Sequence, residues 1–380
     1  MTERLYNIDA YIREFDAVVL ESYPMEDGFV SVLNKSAFFP EGGGQSSDKG
    51  DIDGVRVFDV KEVGGKLLHY TKEALNVNKT VHCSIDFEER FEKMQCHTAE
   101  HIASGFFHSL YGMDNVGFHL GDDFVTFDTS GVLTDEMLYE VERLANEAVY
   151  KNVDIRITFP DAKDLPSLEY RSKLDITENV RIVTIDGIDA CACCAPHVAK
   201  TGEVGIIKFI ECKKHRGGSR ITMLAGARAY RYINEALIRA HRAAEMLSAP
   251  ILEIDTETER TLSAKADMQY KLSVAGRKLA SLLASTLEKT DKNKVVYLPL
   301  LDMDGLREFV NEAAVKVSGA LVALCGEEGN YKYVIGYGGE DFNSLIKNAN
   351  AALVGKGGGR APMAQGSYSS SLSEIEKYFS

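Results

Sequence analysis

Two pairs of metal-type side chains, His97 with His101 and Cys193 with His197, each carry a four-residue step and lie about ninety residues apart. On a helix a four-residue step puts two side chains on one face, close enough to grip one ion. Two histidines, one thiolate and a further imidazole make a tetrahedral set suited to Zn2+, one per chain. The first pair also reads as His-x-x-Glu-His, the helix motif of the inverzincin metallopeptidases, with Glu100 as general base. In that class the third ligand is a downstream carboxylate, and here the cysteine-rich segment competes for the place.

Cysteine usage points the same way. Seven cysteines, an odd number in a chain whose first residues, MTERLYNIDA, lack a secretory apolar core, make a poor disulfide framework. Cys191, Cys193 and Cys194 crowd into four positions and cannot all bridge one another; Cys191 and Cys194 are alternative ligands. Cys83, Cys96, Cys212 and Cys325 read as buried free thiols. No run approaches the ~20 apolar residues of a membrane span, so the expected compartment is the cytoplasm.

The 380 residues predict two or three folded units. Residues 1–85 read as short strands around Val18–Leu20, Phe29–Leu33, Ser36–Phe39 and Val55–Phe58, broken at Asp27-Gly28, Gly42-Gly43-Gly44, Asp53-Gly54 and Gly64-Gly65. That spacing suggests a small β-barrel or sandwich. Residues 86–225 mix helix and strand: Met137, Val141, Leu144 and Ala148 share a helical stripe behind Thr134 as N-cap, and 180–185 and 204–207 read as strands. Residues 226–290 predict two long helices broken at Ser248-Ala249-Pro250, with Leu272, Ala275, Leu279 and Leu282 as a seam for a hairpin or a homodimer. Residues 291–380 alternate strand, helix, strand, strand, helix before a loop, Gly355–Arg360. The expected class is α+β and multidomain: N-terminal barrel, α/β domain with the metal site, helical hairpin linker and C-terminal α/β domain.

Two glycine-rich segments stand out. In Phe38–Gln45 three consecutive glycines let backbone approach a ligand, or make a tight strand connection. Gly355–Arg360 combines bare backbone with Lys356 and Arg360 and lacks the spacing of a phosphate loop, so an ATPase is not supported; a basic glycine-rich loop suits an RNA phosphate. The net charge of −14 argues against a generic polyanion binder. Between Ile206 and Arg242, however, nine Lys or Arg, among them Lys213, Lys214, Arg216 and Arg220, face two Glu, a local +7 against −21 elsewhere. That single-sign stretch makes nucleic acid a fair partner.

Three of these segments together resemble one family. Phe38–Gln45, continuing to Asp48-Lys49-Gly50, is similar to the glycine motif of alanyl-tRNA editing domains. Cys96–His101 resembles their HxxxH motif, and Cys193–Val198 with Thr201–Gly205 their CxxxH motif and the following strand. The tail Gly355–Gly366 resembles the DHH-associated C-terminal domain of alanyl-tRNA synthetase, so the chain resembles a free-standing alanyl-tRNA editing protein of the long AlaX type. The resemblance implies a zinc-dependent deacylase of tRNA(Ala) mischarged with serine or glycine. It implies His97, His101, Cys193 and His197 as ligands, and Gly42, Gly43, Gly44 and Gln45 along the pocket for the terminal adenosine and amino acid. Ser36 would be the hydroxyl that senses serine, and Glu100 and Gln45 are the catalytic candidates. Lys213, Lys214, Arg216, Arg220, Lys356 and Arg360 would hold tRNA. Nothing resembles the class II aminoacylation core or an Asp-His-His motif. The chain departs from the family at Cys194-Ala195-Pro196, where Gly-Gly-Thr is usual; Pro196 removes a backbone donor. A closed four-ligand set also suits a non-catalytic tRNA-binding module with structural zinc.

Overall fold

The computed structural model describes residues 1–172 and 180–380 and divides into two compact units, Met1–Arg239 and Ala240–Ser380. It is a mixed α/β chain with several sheets and, among the described residues, seven α-helices. None of these helices is long and apolar enough to cross a membrane.

In the first unit, Glu14–Met25, Gly28–Leu33, Lys66–Thr71, Val55–Val63, Gly50–Ile52 and Thr80–Ile85 close, in that order, into an antiparallel barrel. Burial alternates along its strands, so Val19, Leu33, Ile52, Val57, Leu67 and Cys83 fill the interior. The turns at Asp53-Gly54 and Gly64-Gly65 have both residues at positive φ, the hairpin geometry those dipeptides favour. The segment 36–39 is a strand only at Lys35–Ser36; beyond it Phe38 and Phe39 turn into the barrel core and end the pairing.

The last barrel strand runs directly into the helix Phe87–Tyr111, which carries the first histidine pair and stops at Gly112 in the left-handed conformation. A buried ion pair fastens this helix to the barrel: Arg90 Nε donates to Asp48 at 2.9 Å, and its Nη groups donate to the Ala10 and Ala37 carbonyls at 3.0 and 2.6 Å. Lys93 Nζ adds a bond to the Ser47 carbonyl at 2.8 Å. The loop between barrel strands that holds the three glycines is thereby pinned beside the histidines.

Around the helix stand a four-stranded antiparallel sheet, ordered Ile207–His215, Gly218–Ala225, Val125–Thr129, Asn115–Leu120, and a three-stranded one, Ile155–Thr158, Ile182–Ile185, Asp189–Ala192. The amphipathic helix Asp135–Lys151 is capped by Thr134 and buries Val141, Ala145 and Ala148. Residues 204–207, expected as strand, begin instead as a 3-10 turn, Thr201–Val204. Side chains impose it: Thr201 Oγ1 donates to the Ala148 carbonyl at 2.7 Å, and Gly202 N donates to Asn152 Oδ1 at 3.1 Å.

The boundary between the units falls inside the helix Gly226–Leu247; the second long helix is Ile254–Thr286. In the second unit a five-stranded sheet runs Lys294–Tyr297, Leu321–Glu327, Asn330–Gly336, Met363–Tyr368, Gly355–Arg360, with the helices Met303–Ala313, Phe342–Ala352 and Leu372–Phe379. Two apolar clusters line the sheet, one containing Phe342 and Phe379, the other Phe309 and Val310. Leu279, Ala280, Leu283 and Ala284 pack into the latter, while Leu272 and Leu282 of the expected seam stay exposed. Gly355–Arg360, expected as a loop, is an edge strand paired with Met363–Tyr368, and glycine at 357 and 359 permits that approach, since Cβ atoms there would strike the Gln365 and Met363 carbonyls.

Candidate metal centre

His97 and His101 lie one turn apart on the buried face of Phe87–Tyr111. Cys193 follows the strand Asp189–Ala192, in which side chains alternate, so Asp189, Cys191 and Cys193 share one face. His197 sits in the loop beyond. The ligand atoms of His97, His101, Cys193 and His197 all lie within 4.8 Å of one another. His97 Nε2 and His197 Nε2 stand 3.5 and 3.4 Å from Cys193 Sγ. In a tetrahedral site with Zn–S about 2.3 Å and Zn–N about 2.05 Å, the S···N edge is about 3.6 Å. The donor set therefore fits a zinc-sized ion.

Each imidazole is held from behind through Nδ1. His97 Nδ1 meets Gln45 Oε1 at 2.9 Å, His101 Nδ1 meets Asp189 Oδ2 at 3.1 Å, and His197 Nδ1 meets Thr98 Oγ1 at 3.0 Å. Acceptors behind Nδ1 put its proton there and leave the Nε2 lone pair for an ion, the arrangement that orients ligating histidines. Asp189 is anchored by Arg171 Nε at 2.8 Å, and Arg171 Nη2 donates to Ser104 Oγ at 2.7 Å.

Burial alone would raise the Cys193 thiol; the charge of His97 and hydrogen bonds from His101 and His197 outweigh it and hold the thiol well below its ordinary range. Burial opposes the charged form of His101 too, but hydrogen bonds with Asp189 and Cys193 hold that imidazole well above its usual value. Burial pushes His197 down to about 3. Asp189, which burial alone would raise, is kept low by hydrogen bonds from His101 and Arg171. A buried thiolate balanced by imidazole protons can take up a cation, since an entering ion displaces those protons.

The centre opens on a cavity of about 270 Å³ lined by His97, Glu100, His101, Cys193, Phe118 and Arg181 among others. Glu100 is 4% exposed and accepts a hydrogen bond from Asn115 Nδ2. Of the glycine motif, Gly43 reaches this wall; Ser36, Gly42, Gly44 and Gln45 do not line it. Gly42 and Gln45 pair across the tight turn, Gly44 packs so closely that a Cβ would lie 2.5 Å from the Phe118 carbonyl, and Gln45 stands behind His97. Ser36 Oγ lies 2.8 Å from His69 Nε2 in the barrel interior and accepts from Phe38 N at 3.2 Å.

In the loop between Cys193 and His197, Ala195 buries its methyl group in the barrel core. Cys191, His101 and Asp189 form a second cluster of ligand-type atoms within 4.8 Å, sharing His101 with the first. Cys194 lines the cavity.

The basic stretch is more neutral than its count suggests. Lys208 pairs with Glu142, Lys213 with Glu211, Arg220 with Asp128, Arg228 and Arg231 with Glu92, and Arg239 with Glu235. Lys214 and Arg216, at the tip of the hairpin 207–225, make no ion pair among the described residues. Neither do Lys356 and Arg360, which alternation places on one face of their edge strand with Gly358 open between them.

Sequence reasoning missed Asp189, Thr98, Asn115, Arg171 and Arg181. Asp189 had a signal, the alternation Asp189-x-Cys191-x-Cys193; Thr98 lies inside the histidine motif. The other three reach the site through tertiary structure alone.

The centre has the side chains to hold a metal ion, and residues 180–222, which carry Cys193 and His197, match the family described as the threonyl and alanyl tRNA synthetase second additional domain. The particular likeness is to alanyl-tRNA editing proteins, and it runs the length of the chain. Identity to alanyl-tRNA editing protein AlaX-L of Pyrococcus horikoshii is 28% over 99% of this chain and 96% of that protein. Identity to alanyl-tRNA editing protein Aarsd1 of Danio rerio is 26% over 97% and 94%. The alanine–tRNA ligase of Halobacterium salinarum is 33% identical over 86% of this chain, which spans only 37% of that enzyme. The crystal structure of the C-Ala domain of Aquifex aeolicus alanyl-tRNA synthetase matches 24% of this chain and 90% of that one at 19% identity, with a TM-score of 0.20, too low to place any element.

Proposed function

We propose that this chain is a trans-editing hydrolase that deacylates mischarged tRNA(Ala). The observation that carries the reading is the centre itself: three imidazoles, each fixed through Nδ1, converge on one thiolate at the wall of a cavity. A purely structural zinc has no need of such a cavity. The mixture of imidazoles and one thiolate suits Zn2+, and a bound ion would act as a Lewis acid or as a positive pole for the substrate.

The chain's own residues supply the rest. An aminoacyl ester is already activated, so positioning water and stabilising developing charge suffice. Glu100 faces the cavity with one oxygen taken by Asn115, which supports a role in accepting a proton from water. Gln45, Thr98 and Asp189 keep the imidazoles aligned. Gly43 leaves the wall open beside Cys194. Outside the cavity, Lys214 and Arg216 on the hairpin tip and Lys356 and Arg360 on the edge strand are free to meet tRNA phosphates.

Serine and glycine are the amino acids to be removed; Ser36, already bonded to His69, would sense serine only by exchanging that partner. Deacylation measured side by side on Ser-, Gly- and Ala-tRNA(Ala) tests the reading: hydrolysis of the first two with Ala-tRNA(Ala) spared supports it, and three intact substrates refute it. The apolar side chains left exposed on the long helices, Leu237, Ile238, Met268 and Leu272, support a homodimer through them. Sedimentation equilibrium tests it, with a mass near 42 kDa counting against.

A further inference from the structure

Two arginines line the metal cavity, and they are engaged very differently. Arg171 is committed to Asp189 and Ser104. Arg181 is only 6% exposed, yet among the described residues no carboxylate pairs with it. Its Nη1 donates to the Cys193 carbonyl at 2.7 Å, and its Nε is buried without a hydrogen-bond partner. A guanidinium offers five N–H donors, and the Nε donor of this one is buried and unused. Burying a cation with unpaired donors is unfavourable unless something charged arrives to meet them. Among anions the Cys193 thiolate acts most strongly on Arg181, but three imidazoles already share it. Arg181 is also held firmly, because its carbonyl accepts from Cys193 N at 3.0 Å while its side chain grips the Cys193 carbonyl. Its position is therefore locked to the ligand segment.

We infer that Arg181 binds the carbonyl oxygen of the aminoacyl ester and stabilises the negative charge that develops on it. The inference rests on the deacylase reading above. Water adds to the carbonyl carbon, the bond from that carbon to the terminal ribose oxygen breaks, and the water's proton ends on the ribose oxygen. Arg181 donates hydrogen bonds throughout and gives up no proton. A cavity of about 270 Å³ accommodates an aminoacyl ester more readily than a nucleotide chain, which favours this oxygen over a phosphodiester.

The test is steady-state deacylation by the full chain carrying R181M or R181K, on Ser-tRNA(Ala) and on the seryl ester of adenosine, which has no phosphate. Loss of one oxyanion donor lowers kcat about 100-fold. R181M should show that loss on both substrates, with KM within about threefold of wild type and metal content unchanged, and R181K should recover part of it. A raised KM on tRNA with normal turnover of the adenosine ester would assign Arg181 to a phosphate and overturn the inference. Loss of bound metal would assign it to holding the Cys193 segment and would overturn the inference equally. Should R181M fail to fold, R181K and the adenosine ester carry the same readings. Wild-type protein that leaves Ser-tRNA(Ala) intact would refute the deacylase reading itself; active wild type with an unchanged R181M would overturn this inference alone.

Discussion

The metal centre and the edge strand Gly355–Arg360 hold their polar groups in opposite ways. At the centre every imidazole is buried and backed by a partner drawn from another part of the chain, Gln45, Thr98 or Asp189. On the edge strand Lys356 and Arg360 are exposed, without ion-pair partners among the described residues, on a backbone stripped of side chains. The first arrangement is over-determined, as chemistry on a small group requires. The second is adaptable, as binding a sugar–phosphate backbone requires. The hairpin 207–225 lies between these extremes, part neutralised and part bare.

The sharpest way to break this contrast is at a ligand. C193A removes the only thiolate of the set, and the protein should lose its metal and fall to the metal-free rate, read by metal analysis alongside deacylation. One step behind the ligands, D189N should weaken metal binding about 10–100-fold, measured by competition with a chromogenic chelator. Unchanged affinity would mean that His101 does not depend on its partner. On the adaptable side, K356E with R360E should weaken tRNA binding similarly across sequences and reduce the salt slope by about one for each phosphate no longer neutralised. K214E with R216E should do likewise, whereas R220E, whose parent already pairs with Asp128, should change the slope less. Equal slopes for the two hairpin variants would erase the distinction between bare and neutralised cations.

An effect on stability alone concerns His69, which burial pushes down to about 4. Its unfolded value is near 6.5, so between pH 6.5 and about 4 the unfolded chain binds the extra proton and stability falls as pH falls. The whole shift is worth roughly 3 kcal/mol. H69N should flatten that part of the acid-denaturation profile while leaving metal content intact.

Much of this was legible in the sequence because its signals are local. The hairpin turns at Asp53-Gly54 and Gly64-Gly65, the Thr134 cap and the four-residue steps of the ligands all act within a few residues, and the structure uses each of them in place. What escaped was set by distant partners. The surplus of cations after Ile206 is largely answered by Glu92, Asp128 and Glu142, far away in the chain. Gly355–Arg360 reads as a loop by composition, yet it pairs as a strand with Met363–Tyr368, whose closeness leaves room only for glycine at 357 and 359. The family resemblance implies Gln45 as a pocket residue, and tertiary packing turns it behind His97 instead.

The central claim is that this centre, loaded with zinc, hydrolyses the ester of mischarged tRNA(Ala). Single-turnover deacylation of Ser-tRNA(Ala) by the intact protein, after chelation and again after zinc is restored, tests it most directly. Hydrolysis that disappears with the metal and returns with it is the predicted result. A folded, zinc-loaded protein that leaves Ser-tRNA(Ala) uncleaved would contradict it.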